Sequence, residues 1–300
     1  MAQPQKRLTF PASTLDRVIA CPGSVALEQT VPRKETFFTD EGHAAHTLAQ
    51  WALTDGGFEA KAYMGKKILL HSNKGTPQET KYEFTVDAEM CKHAQTYVDN
   101  VKARIDAFRA DANVKDVQLH VEKRIDTSPV VGVPGQSGIA DTLIVVAYKD
   151  GTGLISVEDF KYGQSSKIYA KNNTQLMTYA AGALEAYGKD IDIQTINMVI
   201  HMPRLRHTSE AGISAKDLRA FAKTAKDGVA QAVSEHKLFQ ISKSTDDLTL
   251  NADRAKQCRF CRARDICPAF NAAAGKTPPK APETPPAPKP PAKPIPDYPF

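Results

Sequence analysis

The residues with the clearest chemical capacity are Asp141, which closes Gly138-Ile-Ala-Asp141, and the run Glu158-Asp159-Phe160-Lys161. Two carboxylates beside a backbone carbonyl make a hard oxygen site suited to Mg²⁺ or Mn²⁺. Residues 159 and 161 stand two apart, so on a strand they share a face. Lys161 then points toward the same cation and a scissile phosphate. An ammonium there orients or helps deprotonate the attacking water and stabilises charge on phosphorus, while the metal activates that water. Glu158 faces the other way and is expected to be structural or solvated. Taken alone the pattern is weak, because a strand that ends in charged residues is usually just solvated.

A second constellation lies near residue 260. Cys258, Cys261 and Cys267 fall inside ten residues, whereas Cys21 and Cys91 stand apart. Zinc sites usually draw a fourth ligand from a second paired knuckle, and none is present. Iron–sulfur clusters take four thiolates at more varied spacings. Cys21 precedes the turn-like Pro22-Gly23-Ser24 and could present a thiolate. Cys91 lies in a helical stretch, where a small buried thiol is the ordinary explanation. On spacing alone a cluster, a zinc site and free thiols all stay open.

The elements that must position these groups follow from periodicity. Glu41–Leu53 is alanine-rich and helical. Val86, Met90, Ala94, Tyr97, Val98, Val101, Ile105 and Phe108 recur at steps of three and four, which predicts a long amphipathic helix over 86–110. Val117, Leu119 and Val121 alternate with polar residues and read as a half-buried strand. Ile139–Tyr148 and Leu154–Phe160 are apolar runs joined by Lys149-Asp150-Gly151-Thr152-Gly153, a hairpin signal. Its geometry can bring Asp141 and Asp159 to one end of a sheet. A helix over 173–187 follows, then a buried strand over 195–202 stopped by Pro203. Ser214 with Asp217 opens a last helix in capping-box fashion. Three strands, a crossover helix and a further strand imply an α/β fold with a mixed sheet and helices on its faces.

Four motifs occur in order: Gly42-x-x-x-His46, Gly138-x-x-Asp141, Asp159-x-Lys161 and Gln175-x-x-x-Tyr179. Together they resemble the RecB-type branch of the PD-(D/E)XK nucleases, whose restriction-endonuclease-like core runs αβββαβ. The resemblance implies that Asp141 and Asp159 bind Mg²⁺ or Mn²⁺, that Lys161 is the catalytic lysine, and that His46 contributes to or neighbours the metal site. It implies that Gln175 and Tyr179 face the site and contact the DNA backbone; for Tyr179 the rival reading is core packing. Glu122 is a further candidate metal carboxylate, and Arg204 a candidate phosphate contact. His43 has no motif support and reads as surface.

One upstream cysteine followed by CxxCx₅C resembles the iron–sulfur nucleases of the same branch, among them the AddB nuclease domain and CRISPR-associated RecB-like exonucleases. This implies a [4Fe-4S] cluster on Cys21, Cys258, Cys261 and Cys267, with Zn²⁺ as the alternative, stapling the two ends of the nuclease domain. No GxxxxGK[ST] phosphate loop is present. The chain therefore looks most like the stand-alone RecB-like nucleases of phage and prophage replication modules. The expected layout is an N-terminal segment to residue 40, a nuclease core over 41–250, a cysteine segment over 251–275 and a disordered Pro-rich tail over 276–300.

Composition sets the outer limits. With 41% hydrophobic and 24% charged residues, wholesale disorder and a fibre are excluded. No run of about 18 apolar residues offers a transmembrane helix, and a polar start argues against a secretory signal, so a cytoplasmic protein is expected. A net charge of +5 neither requires nor forbids nucleic acid. The expected function is a metal-dependent DNA exonuclease in replication or recombination, acting on single-stranded or end-bearing DNA, with the end of the tail read as frayed or, in the alternative, as a docking tip for a partner protein. The rival classes are a non-catalytic DNA-binding scaffold on a degenerate nuclease fold and a zinc-stabilised interaction module.

Overall fold

The computed structural model describes residues 7–32, 37–55, 57–72, 79–253 and 256–275. The tail expected at 276–300 lies outside the described residues. Two short helices, Leu15–Ala20 (α1) and Ser24–Glu28 (α2), precede Phe37–Thr54 (α3). A hairpin of Lys67–Ser72 (β1) and Thr80–Thr85 (β2) leads into Ala88–Ala110 (α4). The Asp87 carboxylate accepts a hydrogen bond from the Met90 amide at 2.7 Å, so a side chain fixes where this long helix begins.

The central sheet has five strands: Val114–Asp126 (β3), Ser137–Tyr148 (β4), Thr152–Phe160 (β5), Asp192–Met202 (β6) and His207–Ser214 (β7). They lie in chain order across the sheet. Ser128–Val131 (α5) joins β3 to β4, and Thr174–Tyr187 (α6) is the crossover that makes β5 and β6 parallel. The other neighbouring pairs are antiparallel. The β4–β5 turn is set by Gly151 at φ +89° and by Asp150, whose carboxylate accepts from the Thr152 amide and hydroxyl. Ala215–Ser242 (α7) starts at Ser214, which accepts from the Asp217 amide at 3.1 Å. Pro268–Ala273 (α8) closes the described chain.

Each face of the sheet is covered. On one side α1, α6 and α7 enclose Leu143, Val145, Ile155, Val157, Leu176, Ile196 and Leu218. On the other α3 and α4 enclose Leu48, Tyr97, Val101, Ile105, Ile144, Val146 and Phe160. Beyond its first residue β5 is buried throughout, as a central strand covered on both faces must be.

The expected helices and strands occur with small differences in extent. Three further strands were not expected from the pattern. In β7 the burial alternates with a single half-buried face, and its residues are mainly small or polar, so the apolar signal of a strand is missing. The β1–β2 hairpin is separate from the main sheet and packs Ile68 and Phe84 beneath α3 and α4.

Candidate functional site

The fold brings the four motifs to one end of the sheet. The Asp141 carboxylate accepts from the Phe160 amide at 2.7 Å, which locks it against the end of β5. From α3, His46 places Nδ1 3.2 Å from Asp141 Oδ1 and 3.9 Å from Glu122 Oε1. The imidazole also rests against the Phe160 ring, centroids 5.3 Å apart. Glu122 has φ +49°, a left-handed conformation inside a strand. The β3–β4 ladder pairs Val121 with Thr142 and Lys123 with Ala140, and steps over Glu122 and Asp141 between them. Backbone strain of this kind collects at functional sites.

Asp159 is held from the other side. Lys161 Nζ lies 3.1 Å from its Oδ1 and 2.9 Å from its Oδ2, and Gln175 Nε2 donates to Oδ1 at 3.0 Å. Lys161 also donates to Gln175 Oε1 at 3.1 Å. Asp159 Oδ2 is buried without a hydrogen bond of good geometry. Gln175 reaches the site because Asn173 caps α6, accepting from the Leu176 amide at 3.1 Å. Tyr179 follows one turn later, and its ring closes against Gly138. A Cβ at that glycine would sit 2.6 Å from Tyr179 Cε1.

The electrostatics reflect crowding of charge away from water. Burial opposes charging of His46, but Asp141 beside it prevails and lifts the imidazole to about 9. Burial and the Asp141 charge push Glu122 up to about 7. Asp141 is held below its ordinary value: burial works against this, and His46 and Lys161 outweigh it. Asp159 moves the other way, because burial outweighs the attraction of Lys161. Two adjacent carboxylates with opposite shifts form a pair that a divalent cation would relieve.

The structure regroups the expected ligands. Among the described residues, the compact set with ligand atoms all within 4.8 Å of one another is His46, Glu122 and Asp141. Glu122, an additional candidate in the sequence, joins His46 and Asp141 in this set, while the oxygens of Asp159 are engaged by Lys161 and Gln175. The donor set of two carboxylates and one imidazole fits a divalent cation.

Other expected residues lie elsewhere. Arg204 stacks over the Tyr162 ring at 4.6 Å and pairs with Glu41 and Glu89 at 3.4 and 3.0 Å, so its guanidinium is committed within the fold. His43 is exposed on α3. Glu158 is fully buried on the opposite face of β5, where His201 Nε2 at 2.8 Å and Arg104 Nε at 2.8 Å surround it. It is structural, and the solvated alternative fails because α4 covers that face. Tyr97 completes this underside by donating to Thr142 Oγ1 at 2.7 Å.

The cysteines form no compact ligand group among the described residues. Cys21, Cys258, Cys261 and Cys267 nonetheless line one pocket together with Arg17, Leu27 and Phe270. Cys21 Sγ accepts from the Asn251 amide at 3.3 Å, and Cys258 Sγ donates to the Asn251 carbonyl at 3.7 Å. Burial raises the thiols of Cys21 and Cys258 and pushes Cys261 up to about 12. Cys91 is separate, donating to the Ala60 carbonyl beneath α4.

A family model described as "Protein of unknown function (DUF2800)" matches residues 9–289. Among solved structures, one titled "Crystal structure of SSO0001" aligns over 90% of each chain at 12% identity, with a TM-score of 0.29. That superposition is too loose to transfer a fold or an activity.

Proposed function

We propose that this chain, which belongs to the DUF2800 family of proteins of unknown function, is a divalent-metal-dependent DNA nuclease that works from strand ends. The observation that carries this reading is the convergence of Asp141, Asp159, Lys161 and Gln175 with His46 and Glu122 at one end of the sheet. Purely structural ion pairs rarely gather three carboxylates, an imidazole and an ammonium at a partly open edge.

Asp141, Glu122 and His46, the last after releasing its proton, would hold Mg²⁺ or Mn²⁺, with Asp159 a further candidate ligand. Once bound, the cation would activate water and neutralise phosphate charge. The chain's own groups do the rest. Lys161 carries a fixed positive charge beside Asp159 and orients the attacking water. Gln175 holds both Asp159 and Lys161, so their relative position does not depend on substrate. Tyr179 closes the wall next to Gly138 and borders the path of the DNA backbone.

The four thiols in one pocket support a [4Fe-4S] cluster on Cys21, Cys258, Cys261 and Cys267, with a structural role. Burial makes the thiols of Cys21, Cys258 and Cys261 costly to ionise, a cost that a bound metal would offset. A role in phage-type replication or recombination and a partner for the tail remain part of this reading.

The test is degradation of end-labelled linear single- and double-stranded DNA, against a circular control, with Mg²⁺ or Mn²⁺. Linear DNA should be degraded and the circle spared. Asp159→Ala and Lys161→Ala should each lower the rate about a thousandfold or more while leaving DNA binding within a few-fold. A wild type inert on every DNA form with either ion would overturn hydrolysis and leave the non-catalytic DNA-binding reading.

A further inference from the structure

We infer that Tyr169, with Lys167, Lys171 and Arg206 around it, is a stacking platform for an unpaired nucleotide, which makes a single-stranded end the preferred substrate. This rests on the nuclease reading above and specifies its substrate. Tyr169 lies on the segment 161–173, which runs from the catalytic Lys161 to the cap of the helix that carries Gln175. The residue is 61% exposed, although it belongs to the loop that leads out of the candidate site.

The loop under it is pinned. The Ile168 amide donates to Met202 Sδ at 3.2 Å, the Ala170 amide to Ser209 Oγ at 3.0 Å, and Asn173 Nδ2 to the Tyr169 carbonyl at 3.4 Å. His207 Nε2 donates to the Ile168 carbonyl at 3.0 Å, which fixes that imidazole in a T-shaped contact with the tyrosine, ring centroids 5.1 Å apart. The phenol is thus braced by His207 while the residue stays open to solvent. A ring held this way loses little freedom when a base stacks on it.

The charge around the ring fits a polynucleotide. Lys167 and Lys171 flank Tyr169 two residues away on either side, and Arg206 precedes the bracing His207. All three are exposed, and none has a carboxylate partner among the described residues. Lys161 and Arg204, by contrast, are paired with carboxylates. Exposed aromatic rings between free cations bind single strands by base stacking and phosphate attraction, without sequence preference. A blunt duplex offers no free base face to such a ring.

The experiment uses the intact protein without added divalent cation, so that binding is read apart from cleavage. Fluorescence anisotropy is measured with a labelled oligothymidine and a labelled blunt duplex. Wild type should bind the single strand more tightly. Tyr169→Ala should weaken single-strand binding about tenfold and change duplex binding less than twofold. Tyr169→Phe, which keeps the stacking face, should bind as wild type does, and unchanged melting temperatures exclude misfolding. Replacing Lys167 and Lys171 by Ala should flatten the salt dependence of single-strand binding.

The inference is overturned if Tyr169→Ala binds the single strand normally, if Phe fails as badly as Ala, if the duplex suffers equally, or if the salt dependence is unchanged. Loss of hydrolysis in the wild type with these binding results intact would sink the nuclease reading alone. Robust cleavage with Tyr169→Ala binding unimpaired would sink the platform alone.

Discussion

At the scale of single residues, Glu122 bears the tension of the site most directly. Its backbone is left-handed inside a strand, and its carboxyl is lifted to about 7, first by burial and then by Asp141. A carboxyl whose pKa is higher in the folded state binds more protons folded than unfolded. Its contribution is therefore neutral at low pH and turns unfavourable as pH climbs from about 4.5 through 7. In metal-free protein Glu122→Gln should melt with wild type near pH 4 and several degrees higher at pH 8. The gain is at most about 3.5 kcal/mol, since each pKa unit corresponds to about 1.4 kcal/mol, and solvent screening of this partly exposed group reduces it further. Thermal denaturation in chelator at the two pH values measures it, and equal melting at pH 8 would show that the ionised carboxylate carries no penalty. Added Mn²⁺ should reverse the order, because the wild-type carboxylate then gains a counter-charge that glutamine cannot use.

At the scale of elements, the order of the main helices and of β3 to β6 was legible because each carries its period and its stop signals, whereas β1, β2 and β7 were not. Asp87, Asn173 and Ser214 all cap the helices they precede. The hairpin that brings Asp141 and Asp159 to one end of the sheet could be seen in its Asp-Gly turn. What stayed hidden depends on contacts between elements. Nothing in the spacing of Glu122 reveals a ladder that steps over it to face His46. Glu158 reads as either structural or solvated until α4 is laid across β5 and Arg104 and His201 arrive from distant segments. The small residue at 138 likewise acquires its reason only from α6. Adding one methyl there would drive into the Tyr179 ring at 2.6 Å. Gly138→Ala should cost about 1–3 kcal/mol and displace Tyr179, lowering the cleavage rate at least tenfold. Removing the ring as well, in Gly138→Ala with Tyr179→Ala, should cost less stability than the sum of the two single changes. Additive losses in a double-mutant cycle would show that the two residues do not press on each other.

At the scale of the molecule, the two ends of the described chain are joined beside α7. Glu28 on α2 receives Arg17 at 3.1 Å and the Arg262 amide at 2.9 Å, so one buried carboxylate ties residues 17, 28 and 262 together. Around it Ala26, Leu27, Phe239, Leu248, Ala263 and Cys267 form a small apolar cluster, and Gly23 donates its amide to the Thr249 carbonyl. This junction carries few large side chains, so packing alone stabilises it weakly compared with the two faces of the sheet. A metal shared by Cys21 and the segment 258–267 would close a loop spanning most of the chain, where a cross-link restricts the unfolded state most. Four thiols line the pocket at this junction, the number a four-iron cluster takes. Anaerobically purified protein should accordingly be brown and contain iron. Cys21→Ser should lose the iron and lower the melting temperature, with the N-terminal helices becoming the first site of proteolysis. Cys91→Ser should keep the iron, because that thiol meets only the Ala60 carbonyl beneath α4. Iron retained in Cys21→Ser but lost in Cys91→Ser would mean that the junction is held by packing alone and that the upstream ligand lies on the other side of the sheet.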